Sequence, residues 1–211
     1  MAMLRPMLIV DGHPEADSLS AALAAAYCEG AGGRLLALRD LRFDPILRRH
    51  GQALEPDLLE ARALIEAADH VAWFFPTWWA GPPALVKGFV DRTFLPGWAY
   101  AYEPGALLHK RLLRGRSARV VTTMDAPWWW YSAVYARALH AAFVNATLRY
   151  VGFSVSSSTL YGVRSRSREQ LAHAVERMHA LGTRDARGAA SRLASRRSRL
   201  PSPSRAAGRT P

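Results

Sequence analysis

The sequence has almost no cysteine: Cys28 stands alone in 211 residues. That excludes an internal disulfide framework and suits a reducing compartment. Long apolar runs are missing as well. The stretch 71–86 carries no charge until Lys87, but it is too short to span a bilayer and holds three prolines. The opening MAMLRPMLIVDGHP has a single arginine and only a short apolar stretch before Asp11, too little for a secretory leader. No transmembrane segment is expected, and the chain reads as soluble and cytoplasmic. Neither a P-loop nor a GxGxxG pattern occurs, and there is no GxSxG elbow of the hydrolase type. The histidines are scattered, with no metal-ligand spacing.

Lysine is scarce too. Only Lys87 and Lys110 stand among 28 basic residues, the rest being arginine, and the net charge is +11. Much of that charge is concentrated from residue 183 onward, where eight arginines face one acid, Asp185. Such a distribution argues against a nucleic-acid surface on the body of the protein. The stretch 183–211, rich in Ser, Arg, Pro and Ala with few large apolar residues, reads as a disordered tail. It is either a solvated extension or a weak contact for an acidic surface. Residues 1–182, in a chain with 50% hydrophobic content, are enough for one domain with a real core.

Five short strand segments, at 7–10, 34–38, 71–75, 118–123 and 153–160, alternate with helical patterns at about 21–33, 56–68, 84–94, 133–150 and 167–181. Strand–helix alternation of this kind predicts an α/β fold with a parallel sheet covered on both faces. Right-handed crossovers then favour a flavodoxin-like three-layer sandwich with strand order 2-1-3-4-5. In that order the loops 11–20, 76–83 and 123–131 follow neighbouring strands and converge on one rim. Ligands of open α/β sheets bind at that carboxyl edge.

The first loop, Asp11 to Ser20, is polar and precedes an alanine-rich helix with Ser18 or Ser20 as N-cap. Free amides and the positive end of the helix favour an anion there, and a cap and a phosphate cradle are compatible. The second and third loops hold Trp78, Trp79, Trp128, Trp129 and Trp130, five of the seven tryptophans. Flat apolar faces beside backbone N–H groups suit a fused aromatic ring such as an isoalloxazine. A dimer seam anchored by tryptophan is the rival reading, and the two can share residues.

The residues Gly12-His13-Pro14, Ser18-Leu19-Ser20, Phe43-Asp44-Pro45-Ile46, the run from Phe75 to Gly88 (FPTWWAGPPALVKG), Asp91-Arg92-Thr93-Phe94, Gly97-Trp98-Ala99-Tyr100 and Thr122-Thr123 carry a resemblance. Over 7–181 the chain resembles the bacterial branch of the NAD(P)H:quinone oxidoreductase-like family. The resemblance implies that His13, Ser18, Leu19 and Ser20 hold a flavin phosphate. Pro76, Thr77, Trp78, Trp79 and Ala80 would line the isoalloxazine, with backbone amides meeting its pyrimidine edge. Thr122, Thr123, Met124 and Asp125 would line its other side. Where the family usually has glycines, this chain has Met124-Asp125-Ala126-Pro127, and Asp125 pairs either with a ring N–H or with its own turn. Tyr131 matches the family tyrosine that accommodates charge on the reduced flavin. His140 is the nearest histidine, at longer spacing; otherwise it is a helix histidine with a local hydrogen bond.

The activity implied is hydride transfer from NAD(P)H to a quinone or similar flat acceptor by a ping-pong mechanism. The cofactor would be FAD, or FMN, with a homodimer as the assembly. The alternative is a flavin-bound ancillary subunit of a membrane transporter of the potassium-efflux type, a peripheral membrane partner to which the basic tail would contribute.

Overall fold

The computed structural model describes residues 7–198. Five parallel strands form the central sheet: β1 (Leu8–Asp11), β2 (Arg34–Ala37), β3 (His70–Pro76), β6 (Ser117–Thr123) and β7 (Ser154–Leu160). Their order is β2-β1-β3-β6-β7, the expected 2-1-3-4-5 among the sheet strands. A two-stranded antiparallel ribbon, β4 (Tyr100–Ala101) with β5 (Lys110–Arg111), lies outside that sheet.

Alternation along the strands divides the core in two. Val71, Trp73 and Phe75 of β3 point to one face, and Ala72 and Phe74 to the other. On the first face they meet Leu8, Val10, Val120 and two helices, α2 (Pro56–Ala67) and α3 (Ala84–Thr93). On the second they meet Ile9, Val121 and the helices α1 (Leu19–Ala31) and α5 (Arg168–Ser198). Every residue of β3 and β6 is buried, as parallel strands covered on both faces require. Trp73 is the aromatic hub, with Phe89, Phe94 and Phe143 packed against its ring.

Arg92, fully buried on α3, staples the long connection 41–55 to the domain. Its guanidinium bonds both carboxylate oxygens of Glu55, at 3.1 and 2.7 Å, and the carbonyls of Ala53 and Asp44.

Two expectations are corrected. The helix anticipated over 133–150 is split. Helix α4 (Trp128–Ala133) starts within the tryptophan run itself, after Pro127, and a π-helix occupies His140–Arg149. Between them Ala136 (φ 46°) and Arg137 (φ 54°) are left-handed, and the Ala138 amide returns to the Tyr135 carbonyl at 2.8 Å. This is a type I′ turn made without glycine or asparagine, so the sequence gives no breaker signal there.

The second correction concerns the tail. Helix α5 does not stop near Leu181 but continues to Ser198, so 183–198 is helical; 199–211 lie outside the described residues. Gly182, which looks like a stop, is a packing contact. A Cβ there would sit 2.2 Å from the Tyr27 carbonyl oxygen of α1, and one at Gly30 would sit 2.0 Å from that of His179. Past this crossing, Asp185, half-buried, pairs with Arg119 of β6.

Candidate active site

The first site loop leaves β1 at Asp11, which is buried and ion-paired with Arg39. The same carboxylate accepts the His13 amide at 3.1 Å. His13 Nδ1 accepts the Glu15 amide at 2.9 Å, so the neutral ring carries its proton on Nε2 and presents a donor. Ser18 is the N-cap of α1, its hydroxyl oxygen accepting the Ala21 amide at 3.2 Å. Helix geometry leaves the Leu19 and Ser20 amides without an intrahelical acceptor, which makes them an anion seat.

The second loop leaves β3 at Pro76. The Thr77 amide bonds the Thr123 carbonyl at 2.7 Å, and Trp78 and Gly81 exchange amide–carbonyl bonds at 2.9 Å each. Trp79 (φ 51°) and Ala80 (φ 59°) form the left-handed centre of another type I′ turn. Each left-handed non-glycine residue costs about 1–2 kcal/mol. The turn holds the Trp79 indole wholly in solvent. Trp78, half-exposed, meets the His13 ring edge-on with centroids 5.7 Å apart.

From β6, Thr123 places its hydroxyl 3.4 Å from that of Ser20, tying the first loop to the third. The Met124 amide bonds the Leu160 carbonyl at 3.0 Å and its carbonyl accepts the Val163 amide at 3.2 Å. Asp125 accepts the Arg164 amide at 2.8 Å. The aspartate therefore clips the β6 loop to the β7 loop, a role that neither of its two expected readings contained.

These contacts enclose a cleft of about 230 Å³ lined by His13, Leu19, Ser20, Pro76, Thr77, Trp78, Thr123, Met124, Asp125 and Val163. Nine of the residues expected from the sequence thus meet in one place. Val163 was missed; it follows the tip of the fifth sheet strand, in a loop whose one aromatic, Tyr161, packs against Tyr131 and does not line the cleft. Ser18, Trp79, Ala80 and Thr122 do not line the cleft. Ser18 serves the cap, Trp79 and Ala80 form the turn beyond Trp78, and Thr122 is buried in the sheet with its hydroxyl 3.1 Å from that of Thr159. The Thr77 and Trp78 amides are already bonded within the protein, which leaves those of Trp79 and Ala80 as the donors of this loop.

Tyr131 and His140 are brought together, but away from the cleft. The Tyr131 hydroxyl lies 2.7 Å from His140 Nδ1 and accepts the His140 amide at 3.3 Å. Both residues are buried. Burial pushes the Tyr131 phenol up and the His140 imidazole down, and the nearby Arg137 charge lowers the imidazole further, so both stay neutral.

Whether the cleft suits a flavin is tested by its unspent polar groups. The Thr77 hydroxyl is buried at the wall without a hydrogen-bond partner. The Leu19 and Ser20 amides and the His13 Nε2–H are donors for a phosphate, and the half-exposed indole of Trp78 flanks the opening. The donor set fits a phosphorylated ligand with a flat polar-edged ring.

The family of flavodoxin-like fold matches residues 5–181. NAD(P)H dehydrogenase (quinone) 1 of Cavia porcellus is 28% identical over 199 residues, an overlap spanning 77% of this chain and 70% of that enzyme. The crystal structure of Smu.1420 from Streptococcus mutans superposes with a TM-score of 0.76 at 25% identity, over 85% of this chain and 99% of that one. An FMN-dependent NADH-azoreductase from Bacillus anthracis, crystallised with FMN, gives a TM-score of 0.67 at 15% identity, over 86% and 99% of the two chains. The last of these likenesses is one of fold.

Proposed function

Since the chain belongs to the family of flavodoxin-like fold, we propose that it is an NAD(P)H-dependent flavin oxidoreductase acting on a quinone or a similar flat acceptor. The observation that carries this is the meeting of four strand tips around one cleft, with the orphaned Thr77 hydroxyl in its wall. A buried hydroxyl without a partner costs about 1–3 kcal/mol, which a bound ligand would relieve. The similarity to the Cavia porcellus enzyme supports the acceptor class.

In this reading the α1 amides and His13 bind the cofactor phosphate, and Trp78 and Thr77 orient the ring. FAD, or FMN, supplies the redox chemistry. The chain supplies positioning and shields the ring edge from water. Reductant and acceptor enter through the same open mouth in turn, the ping-pong order. Tyr131, on the buried face of the tryptophan helix, and His140, at the start of the π-helix, are both neutral, and the contact between them fixes one helix to the other. The exposed indoles of Trp128 and Trp129 support a homodimer that covers this face. No helix among the described residues is long and apolar enough to cross a membrane.

The purified protein is expected to be yellow and to oxidise NADH or NADPH with a soluble quinone. Mass spectrometry of the released cofactor decides between FAD and FMN. Absence of bound flavin, together with no turnover after reconstitution with either, defeats the proposal.

A further inference from the structure

A second cavity, of about 300 Å³, opens between the π-helix and β7 and shares no lining residue with the strand-tip cleft. Its polar walls are Arg137, His140, Asn145, Arg149 and Ser157. None of its lining residues is a carboxylate.

The hydrogen bonds already made fix what these groups have left. Tyr131 accepts the His140 amide, and its hydroxyl lies 2.7 Å from His140 Nδ1. With the Tyr131 hydroxyl donating to Nδ1, a neutral His140 is the Nε2–H tautomer, and Nε2 makes no hydrogen bond among the described residues. His140 is more than nine-tenths buried and lines the cavity. Asn145 spends its carbonyl oxygen on Arg149 at 2.7 Å, so its amide hydrogens remain. Arg149 gives one further bond to the Val155 carbonyl at 3.2 Å and keeps three of its five N–H donors. The left-handed turn sets the backbone of Arg137, which is exposed, and its charge is felt by both Tyr131 and His140.

Two guanidinium groups, an imidazole, an amide NH₂ and a hydroxyl thus line one cavity, and the guanidiniums and the amide NH₂ act as donors only. Such a set is complementary to an anion with several acceptor oxygens, and paired arginines favour a tetrahedral dianion held by forked bonds. We infer that this cavity binds a phosphate dianion, either free phosphate or the phosphomonoester of a larger molecule. Its size exceeds a bare phosphate, and Ala141 and Val144 give it an apolar wall for an organic part. The inference stands whether or not the strand-tip cleft holds a flavin.

The test is calorimetric titration of the protein as purified with inorganic phosphate, 2′-AMP and 5′-AMP, with adenosine as the phosphate-free control. Binding of the three phosphates and not of adenosine is expected. Equal affinity for all three marks free phosphate as the ligand, and tighter binding of either nucleotide marks a phosphomonoester. Arg137→Gln removes a guanidinium that makes no hydrogen bond among the described residues, so this variant should fold normally and bind about tenfold more weakly. Arg149→Gln should weaken binding at least as much. Nitrogen NMR of His140 should show Nε2, not Nδ1, responding to the ligand. The inference fails if phosphate does not bind, or if binding survives both substitutions unchanged, which would assign it to the α1 amides instead.

Discussion

The Tyr27 hydroxyl donates to the Asp185 carboxylate at 2.7 Å, joining the first helix to a residue 158 positions further along. Arg119 of β6 bonds both oxygens of the same carboxylate, and Tyr27 also lies 3.1 Å from His70 Nε2. His70 Nδ1 in turn accepts from the Ser117 hydroxyl at 2.8 Å, and Arg192 donates to that hydroxyl at 2.8 Å. One chain of polar contacts therefore runs through α1, β3, β6 and the last turns of α5.

This ties 183–192 to the folded domain. Asp185→Ala leaves the Arg119 guanidinium in the core without its counter-charge, and breaking a buried pair in this way costs about 3–5 kcal/mol. Truncation after Gly182 should cost at least as much, since it also removes Arg192. Urea unfolding followed by tryptophan fluorescence measures both. A loss below about 1 kcal/mol, the scale of an exposed pair, would mean that the segment is an appendage.

The same network sets a pH dependence. Burial lowers the His70 pKa to about 4, and the cations Arg119 and Arg192 add to the shift against the opposing charge of Asp185. Above the ordinary value of 6.5 the imidazole is neutral in both the folded and unfolded chains. Between 6.5 and about 4 the unfolded chain binds a proton that the folded chain refuses, so stability falls as pH falls. The slope from this one group is at most about 1.4 kcal/mol per pH unit. Urea midpoints measured across this window should decline for the wild type. They should decline less steeply, by up to one proton, for His70→Gln. Parallel declines in the two proteins would place the titration elsewhere.

Much of the sheet was legible because parallel strands buried on both faces are rich in apolar and β-branched residues, as 71–75 is throughout and 118–123 is apart from Arg119. The strand-tip cleft was legible for a related reason: strand order alone brings His13, Thr77 and Thr123 together. What escaped the sequence were long-range satisfactions of local oddities. Gly182 and Asp185 look like a helix stop and a polar tail until Tyr27 and Arg119 are placed beside them. The turn at Ala136–Arg137 has no glycine to announce it. Asp125 finds the Arg164 amide, a partner from another strand tip that no local turn rule could supply.

Thr77 gives the sharpest test of whether the cleft is built for a ligand. Its hydroxyl is buried without a partner, so in the empty protein it is a liability. Thr77→Val keeps the shape of the side chain and removes the orphaned group. The cofactor-free variant should therefore be as stable as the wild type or more so, by up to about 1–3 kcal/mol. If the hydroxyl serves the cofactor, flavin affinity should move the other way and weaken about tenfold, as expected for one lost hydrogen bond to a ring edge. Thermal unfolding of the cofactor-free protein and fluorescence titration with flavin read the two effects separately. A gain in stability with unchanged flavin binding would make Thr77 a packing residue. A loss in both would mean that the hydroxyl has a structural partner in the protein, such as an ordered water.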